Sequence, residues 1–87
     1  SFNHNQSQYY LRLSVKNEVG VLEHLSAIFK DKSVSIEKIV QKESSSDSAE
    51  VIIISSKETE SCFQELREQL VGSDAVISED AFVRVGL

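Results

Sequence analysis

The first regular pattern of the chain begins at Tyr9, where apolar and polar positions alternate. Apolar side chains occupy every second position over residues 9–15, and this period of two predicts a strand with one buried face. The sequence Asn17-Glu18-Val19-Gly20 follows and is typical of a turn. Over residues 21–29 the apolar positions recur with helical spacing. The pattern therefore predicts a strand, a tight turn and an amphipathic helix.

A second strand is predicted from Val34 onward. Its alternation of apolar and polar positions slips at Lys38, and this slip predicts a β-bulge or a kink near residues 37–38. The polar run at residues 44–48 forms a turn into a third strand at about residues 49–55, which is apolar on both faces. Such a strand is typical of a sheet interior.

A second helix is predicted between Glu58 and Leu70, with acidic side chains in its first turn. Either Ser56 or Thr59 can cap its start, and the glycine at position 72 suits its end. A last strand lies within residues 75–85, most securely at residues 81–85. The predicted order is βαββαβ. Right-handed crossovers put both helices on one face of a four-stranded antiparallel sheet, an α+β, ferredoxin-like plan.

Composition limits what a chain of this size can do. The 87 residues suffice for one domain with a modest core, and this size argues against an additional deep catalytic cleft. The net charge of -5 argues against nucleic acid or an anionic membrane surface as a partner. No apolar run approaches the roughly 20 residues of a membrane span. Residues 1–8 are polar and are interpreted as a linker or a non-native remnant, so the domain is expected at residues 9–87.

The absence of methionine and of a signal segment predicts a piece of a longer, cytoplasmic protein. No catalytic or metal-binding residue is predicted within this piece. His4 and His24 lack partners at metal-ligand spacing, and Cys62 has no neighbouring base, so it is interpreted as a half-buried small hydrophobic residue. Glu79 and Asp80 are adjacent in a strand and point to opposite faces, at a solvated strand end.

The turn before the first helix is the most informative segment for chemistry. Backbone N–H groups at a helix N-terminus suit a carboxylate, and Gly20 lets a ligand approach the backbone. The Asn17 amide can donate and accept, and Glu18 or a backbone carbonyl can receive an ammonium group. A free amino acid carries both charges. On spacing alone, an ordinary tight turn before a helix remains the alternative.

With the βαββαβ order, the sequence Asn-x-x-Gly-Val-Leu resembles the ACT domain family over residues 9–85. Asn17, Gly20 and Leu22 fit the family pattern, whereas Val19 stands where a proline is usual. A narrower resemblance is to the C-terminal ACT domains of bacterial homoserine dehydrogenases. The second-strand phrase Ser-Ile-Glu-Lys-Ile-Val-Gln at residues 35–41 is its most distinctive part.

The resemblance implies a regulatory domain that pairs and binds an amino-acid effector at the interface. Turn residues of one subunit would face second-strand residues of the other, where Ser35 stands in place of the asparagine of some relatives. The implied effector is threonine, in feedback control of the aspartate-family pathway, although these residues alone do not distinguish it from serine, valine or isoleucine. An NAD(P)-dependent dehydrogenase region would lie elsewhere in the parent, and the fragment itself would need no cofactor. The alternative is a dimerisation module without a ligand. The implied ligand-binding residues are Asn17, Glu18, Val19, Gly20, Val21, Leu22, Ser35 and Ile36.

Overall fold

The computed structural model describes residues 6–85, apart from the side chain of Glu43. The predicted α+β, ferredoxin-like fold is confirmed: the four strands form one antiparallel sheet in the order β2-β3-β1-β4, with both helices on one face. The elements are β1 (Gln8–Lys16), α1 (Val21–Asp31), β2 (Ile36–Glu43), β3 (Ser48–Ser55), α2 (Glu60–Val71) and β4 (Val76–Val85).

The core lies between the two inner strands and the helices. Strands β1 and β3 alternate between buried and half-buried side chains, so each has one face against the helices. The buried stripe of α1 comprises Val21, Leu25, Ile28 and Phe29. The buried stripe of α2 comprises Phe63, Leu66 and Leu70. These stripes pack in one cluster with the inner sheet face.

Local backbone chemistry fixes the ends of both helices. Gly20 precedes α1 with φ of 88°, in the left-handed region that glycine adopts without strain. After α1, Ser33 adopts φ of 58° and reverses the chain towards β2. At the start of α2 the Thr59 hydroxyl accepts a hydrogen bond from the Cys62 amide, so Thr59 is the N-cap. Gly72 ends α2 as predicted.

Strand β2 begins later than predicted, whereas β4 fills nearly the whole range predicted for it. Strand β2 begins at Ile36, because the Ser33–Ser35 segment still closes the end of α1 and Val34 is buried there. The predicted bulge is confirmed as a register shift between Ile36 and Lys38. Strand β4 begins at Val76, well before the segment predicted most securely, and two register shifts against β1 obscure its alternation.

Backbone pairing begins earlier along the chain than predicted. Residues 1–5 of the proposed linker lie outside the described residues. Ser7 is 3% exposed and exchanges two backbone hydrogen bonds with Glu58, and Gln8 pairs with Val85. The assignment of these two residues to a linker was wrong, because a polar sequence carries no sign of the backbone pairing that its neighbours offer.

A second packing region joins α2 to β4. The rings of Tyr9, Phe63 and Phe82 stack, with 4.2 Å between the centroids of Tyr9 and Phe63. The Arg67 guanidinium lies 4.3 Å from the Phe82 ring centroid and donates two hydrogen bonds of 2.7 Å to the Glu79 carboxylate. Glu79 is therefore an ion-pair partner and not the solvated strand end that was predicted.

Candidate functional site

The turn between β1 and α1 forms one wall of an open cavity of about 520 Å³, called here the turn cavity. The loop between α2 and β4 forms the opposite wall. The lining residues are Lys16, Glu18, Val19, Gly20, Val21, His24, Gly72, Ser73, Asp74 and Ala75.

Sheet topology brings these two distant segments together. Strands β1 and β4 are antiparallel neighbours, so the end of β1 lies beside the start of β4. The Lys16 amide donates to the Ala75 carbonyl at 2.9 Å and joins the two walls. The ring nitrogen Nε2 of His24 lies 2.9 Å from the Ser73 hydroxyl, which also accepts from the Ala75 amide at 3.1 Å. The cavity therefore has a hydrogen-bonded frame.

The first turn of α1, which begins beside this cavity, has backbone donors without an acceptor in the helix. The Val21 amide is directed at the Glu18 carbonyl and the His24 amide at the Gly20 carbonyl. The two amides between them, Leu22 and Glu23, stand in the first helical turn, where an α-helix supplies no acceptor. Glycine at position 20 carries no Cβ, and an added Cβ would meet nothing within 4 Å. The arrangement offers donors to an anionic group, with Glu18 and Asp74 near for a cationic one.

A second open cavity of about 380 Å³ lies at the other end of α1 and is called here the strand cavity. It is lined by Ser26, Phe29, Lys30, Ser33, Val34, Ser35 and Ile36. The Ser35 amide donates to the Ser56 hydroxyl at 3.2 Å, and the Ser35 carbonyl accepts from the Ser56 amide at 2.8 Å. The backbone of Ser35 is thereby fixed, while its side chain stays exposed.

The two groups of predicted site residues are therefore apart within one chain. Helix α1 has 11 residues and a length of about 16 Å at 1.5 Å per residue. The turn residues stand at its N-terminal end and Ser35 and Ile36 beyond its C-terminal end. A single chain does not bring them together.

The chain has sequence and structure relatives. It is 30% identical over 81 residues to homoserine dehydrogenase of Bacillus subtilis (strain 168). It superposes on a homoserine dehydrogenase from Thiobacillus denitrificans with a TM-score of 0.79 and 29% identity over 91% of the chain. The ACT domain of a GTP pyrophosphokinase from Chlorobium tepidum shares the fold, with a TM-score of 0.71 and 11% identity over 92% of the chain and 99% of that domain. No protein-family model matches the chain.

The chain has the fold of an ACT domain and is similar in sequence to a small part of homoserine dehydrogenase. The match to the Bacillus subtilis protein spans 91% of this chain but only 19% of that protein. In the Thiobacillus denitrificans structure it covers 17% of the chain. The similarity therefore concerns only a small part of those proteins.

The structure assigns different surroundings to the predicted turn residues of the ACT-like domain. Glu18, Val19, Gly20 and Val21 line the turn cavity, and Leu22 packs against the core as a half-buried side chain. Asn17 does not line this cavity. Its side-chain amide donates to the carbonyls of the β2–β3 turn at residues 45 and 46, and its backbone amide donates to that of residue 47. Asn17 thus connects two turns.

His24, Ser73 and Asp74 line the turn cavity, and the sequence did not single them out for it. His24 is exposed, and its ring also contacts Ser73. The signal that could have found them is topological. Once β4 is placed beside β1, the residues that follow Gly72 must adjoin the turn at Gly20.

Within residues 6–85, no group of three or more histidine, cysteine, aspartate or glutamate side chains is arranged to hold a metal ion. Neither helix in this part of the chain has the length and apolar character that crossing a membrane requires.

Proposed function

We propose that this ACT-like domain is the regulatory part of a homoserine dehydrogenase and binds threonine between two paired copies. The observation that carries the proposal is the turn cavity. Its wall contains a left-handed glycine directly before the N-terminus of α1, with acidic side chains nearby. A free amino acid needs such a combination, because it presents a carboxylate and an ammonium group together.

Pairing of two copies would let both predicted groups of residues contribute to one site. A two-fold axis beside α1 would align the α1 helices of the two copies antiparallel. The N-terminal end of each α1 would then adjoin the C-terminal end of the other. In that arrangement the turn residues Glu18–Val21 of one copy meet Ser35 and Ile36 of its partner.

In this proposal, different groups of the domain bind the carboxylate and the ammonium group of the effector. The amides of Leu22 and Glu23 donate to the effector carboxylate, and the positive end of the α1 dipole adds to the attraction. The carboxylates of Glu18 and Asp74 receive the ammonium group. Ser35 of the partner copy, with its exposed hydroxyl, is available to the threonine side chain. A ligand held by both copies binds the pair better than the single chains, and this difference is the source of regulation.

The rest of the parent protein supplies its chemistry in this proposal. The dehydrogenase region would bind NAD(P) and homoserine in the cytoplasm, and threonine would report the output of the aspartate-family pathway. The domain itself holds no cofactor in this scheme. It contributes only a coupling free energy between effector binding and the arrangement of the paired subunits.

The proposal is tested by thermal unfolding of the 87-residue chain with each of the twenty amino acids, at a concentration where sedimentation shows a dimer. Threonine at about one hundred times its dissociation constant should stabilise the fold by about 2.7 kcal/mol, several degrees for a domain of this size. A flat screen on the dimer would contradict the proposal.

Two substitutions test the assigned roles. Glu18→Gln and Asp74→Asn should each weaken threonine binding about tenfold or more, because each removes a charged acceptor for the ammonium group. The matched control is Glu68→Gln, which removes the same charge from the exposed surface of α2, outside the turn cavity. Equal affinity for threonine in all three variants would show that Glu18 and Asp74 do not bind the ammonium group.

The outer face of the sheet favours a second candidate, an assembly module without a ligand. Tyr10 pairs with Ile54 on one side and Val83 on the other, and Val85 stands beside them, so apolar side chains form a row away from the helices. Val83 is 51% exposed. A second copy packed on this face would bury the row.

Val83→Lys should then abolish a dimer, whereas Val71→Lys on α2 should leave it intact. An unchanged dimer in Val83→Lys would exclude this face as the interface. A dimer whose stability no amino acid alters would favour assembly over sensing.

A further inference from the structure

One buried polar residue lies outside the residues assigned to the effector site. Ser55, at the end of β3, is 0% exposed. Its hydroxyl accepts a hydrogen bond from the Tyr9 amide at 3.1 Å and donates one of 2.8 Å to the Ser56 carbonyl. A buried hydroxyl with both bonds formed is held in one orientation, because a break in either bond leaves a buried polar group without a partner. Ser55 therefore fixes the start of β1 to the residue that follows β3.

Ser56 extends this connection to the segment between α1 and β2. Its hydroxyl accepts from the Ser35 amide at 3.2 Å, and its amide donates to the Ser35 carbonyl at 2.8 Å. Ser35 and Ile36 line the strand cavity, and the function proposed above places them against the effector of the partner copy. Ile36 also pairs with Ser55 at the end of the β2–β3 ladder. A displacement of the Ser35 backbone is thus opposed by Ser56 and, through it, by Ser55.

The other end of the connection is a short backbone pairing. The β1–β3 ladder ends at the pair Tyr10 and Ile54. Beyond it, Ser7 and Glu58 form an isolated bridge with two backbone hydrogen bonds of 3.0 and 2.9 Å. An isolated bridge beyond the end of a ladder belongs to the parts of a fold that open locally at low free energy. Residues 7–9 therefore form an element with an open and a closed state.

We propose that Ser55 and Ser56 form a relay that couples Ser35 to the closed state of residues 7–9. The coupling itself needs no ligand, because the hydrogen bonds lie within one chain. Its regulatory consequence rests on the function proposed above. Threonine that contacts Ser35 would favour the closed state, since a ligand shifts an equilibrium towards the state that it binds better. Effector binding would then be felt at the start of β1.

The competing explanation is that these hydrogen bonds stabilise the whole fold without coupling its parts. Amide hydrogen exchange separates the two, because amides that exchange by local opening report that opening and not global unfolding. The Leu13 amide, in the middle of β1, is the reference for the rest of the sheet. Coupling predicts a change at Ser7 and Tyr9 that exceeds the change at Leu13.

The experiment is amide hydrogen exchange, followed by nuclear magnetic resonance on the ligand-free 87-residue chain. Ser56→Ala removes the hydroxyl that accepts from the Ser35 amide. The amides of Ser7 and Tyr9 should then exchange about fivefold faster, and the Leu13 amide should change less. Unchanged exchange at Ser7 and Tyr9, or a rise that Leu13 shares in full, would overturn the proposal.

Ser78→Ala is the matched control. The Ser78 hydroxyl donates to the Asp80 carboxylate at 2.8 Å, and Ser78 pairs with Ser14 towards the other end of β1. Loss of this hydroxyl should leave the exchange of the Ser7 and Tyr9 amides unchanged. An equal rise in Ser78→Ala and Ser56→Ala would also overturn the relay, since the effect would not depend on Ser35.

The second arm adds saturating threonine to the parent chain, at a concentration where sedimentation shows a dimer. Threonine should slow the exchange of Ser7 and Tyr9 about fivefold or more, and Ser56→Ala should reduce this protection. Protection of Leu13 without protection of Ser7 and Tyr9 would show stabilisation without coupling and would overturn the regulatory consequence. A chain that binds no threonine would contradict the function proposed above, and the ligand-free comparison would then decide on the relay by itself.

Discussion

Replacement of Gly20 by alanine isolates the backbone requirement of the β1–α1 turn. Gly20 has φ of 88°, and a Cβ added there would meet no atom within 4 Å. A steric clash with the rest of the domain therefore contributes nothing to the cost. The whole effect arises from holding an L-residue in the left-handed region, which costs about 1–2 kcal/mol.

An effect in the unfolded state reduces the loss of stability that is expected for Gly20→Ala. Alanine has less conformational freedom than glycine when unfolded, and this difference offsets about 0.4–1 kcal/mol of the strain. Gly20→Ala should thus lower the free energy of unfolding by about 1 kcal/mol, and the melting temperature by about 4–8 °C. Gly20→Asn should lose less, because asparagine tolerates the left-handed region better than other side chains.

Urea and thermal denaturation followed by circular dichroism measure both variants. Equal stability of Gly20→Ala and the parent chain would refute the left-handed turn. A loss of about 4 kcal/mol or more would refute the open surroundings of the added methyl group, since that magnitude requires a buried clash or cavity. The order parent, asparagine, alanine is the expected result.

Three other predictions concern stability and reactivity. Arg67→Gln and Glu79→Gln, combined in a double-mutant cycle under urea denaturation, should give a coupling of about 1–2 kcal/mol, because the pair is bidentate and partly shielded; a coupling near zero would refute this. A hydrogen bond from Ser14 holds the pKa of Asp80 below its usual range. The Asp80 carboxylate therefore stabilises the fold above the ordinary carboxyl pKa, and this stabilisation is lost as the pH falls through the lowered pKa of the folded state. Ser14→Ala should therefore lose more stability at pH 7 than at about pH 2, and an equal loss at both would contradict the reasoning. Burial raises the pKa of the Cys62 thiol, so iodoacetamide at pH 8 should alkylate it more slowly than free cysteine, and an equal rate would contradict that burial.

The local pattern of apolar and polar residues was enough to predict most of the fold. The phase slip at Lys38 predicted the β2 bulge, because a period of two cannot absorb an extra residue without one. The same reasoning located β4 within residues 75–85 but securely only at residues 81–85, because register shifts against β1 break the alternation at the N-terminal end of the strand. The choice between Ser56 and Thr59 as helix cap was also undecided. Both have hydroxyl groups, and the Ser56 hydroxyl accepts from Ser35 instead.

Only one of the two walls of the turn cavity could be predicted from the sequence. The turn at Gly20 could be predicted, since helix starts and left-handed glycines have local signatures. Its opposite wall at Ser73 and Asp74 could not, because it lies more than 50 residues away in the sequence and approaches only through the β1–β4 pairing. Asn17 was assigned to the ligand for the same reason: the turn that receives its amide is close only in three dimensions.

The central claim is that two copies share an amino-acid effector, and sedimentation equilibrium with and without threonine tests it most directly. If threonine binds between paired copies, its binding and the pairing must strengthen each other by the same factor. The account predicts that saturating threonine lowers the dimer dissociation constant of the 87-residue chain at least about tenfold, and that glycine does not. A dissociation constant that is the same with and without threonine would contradict it.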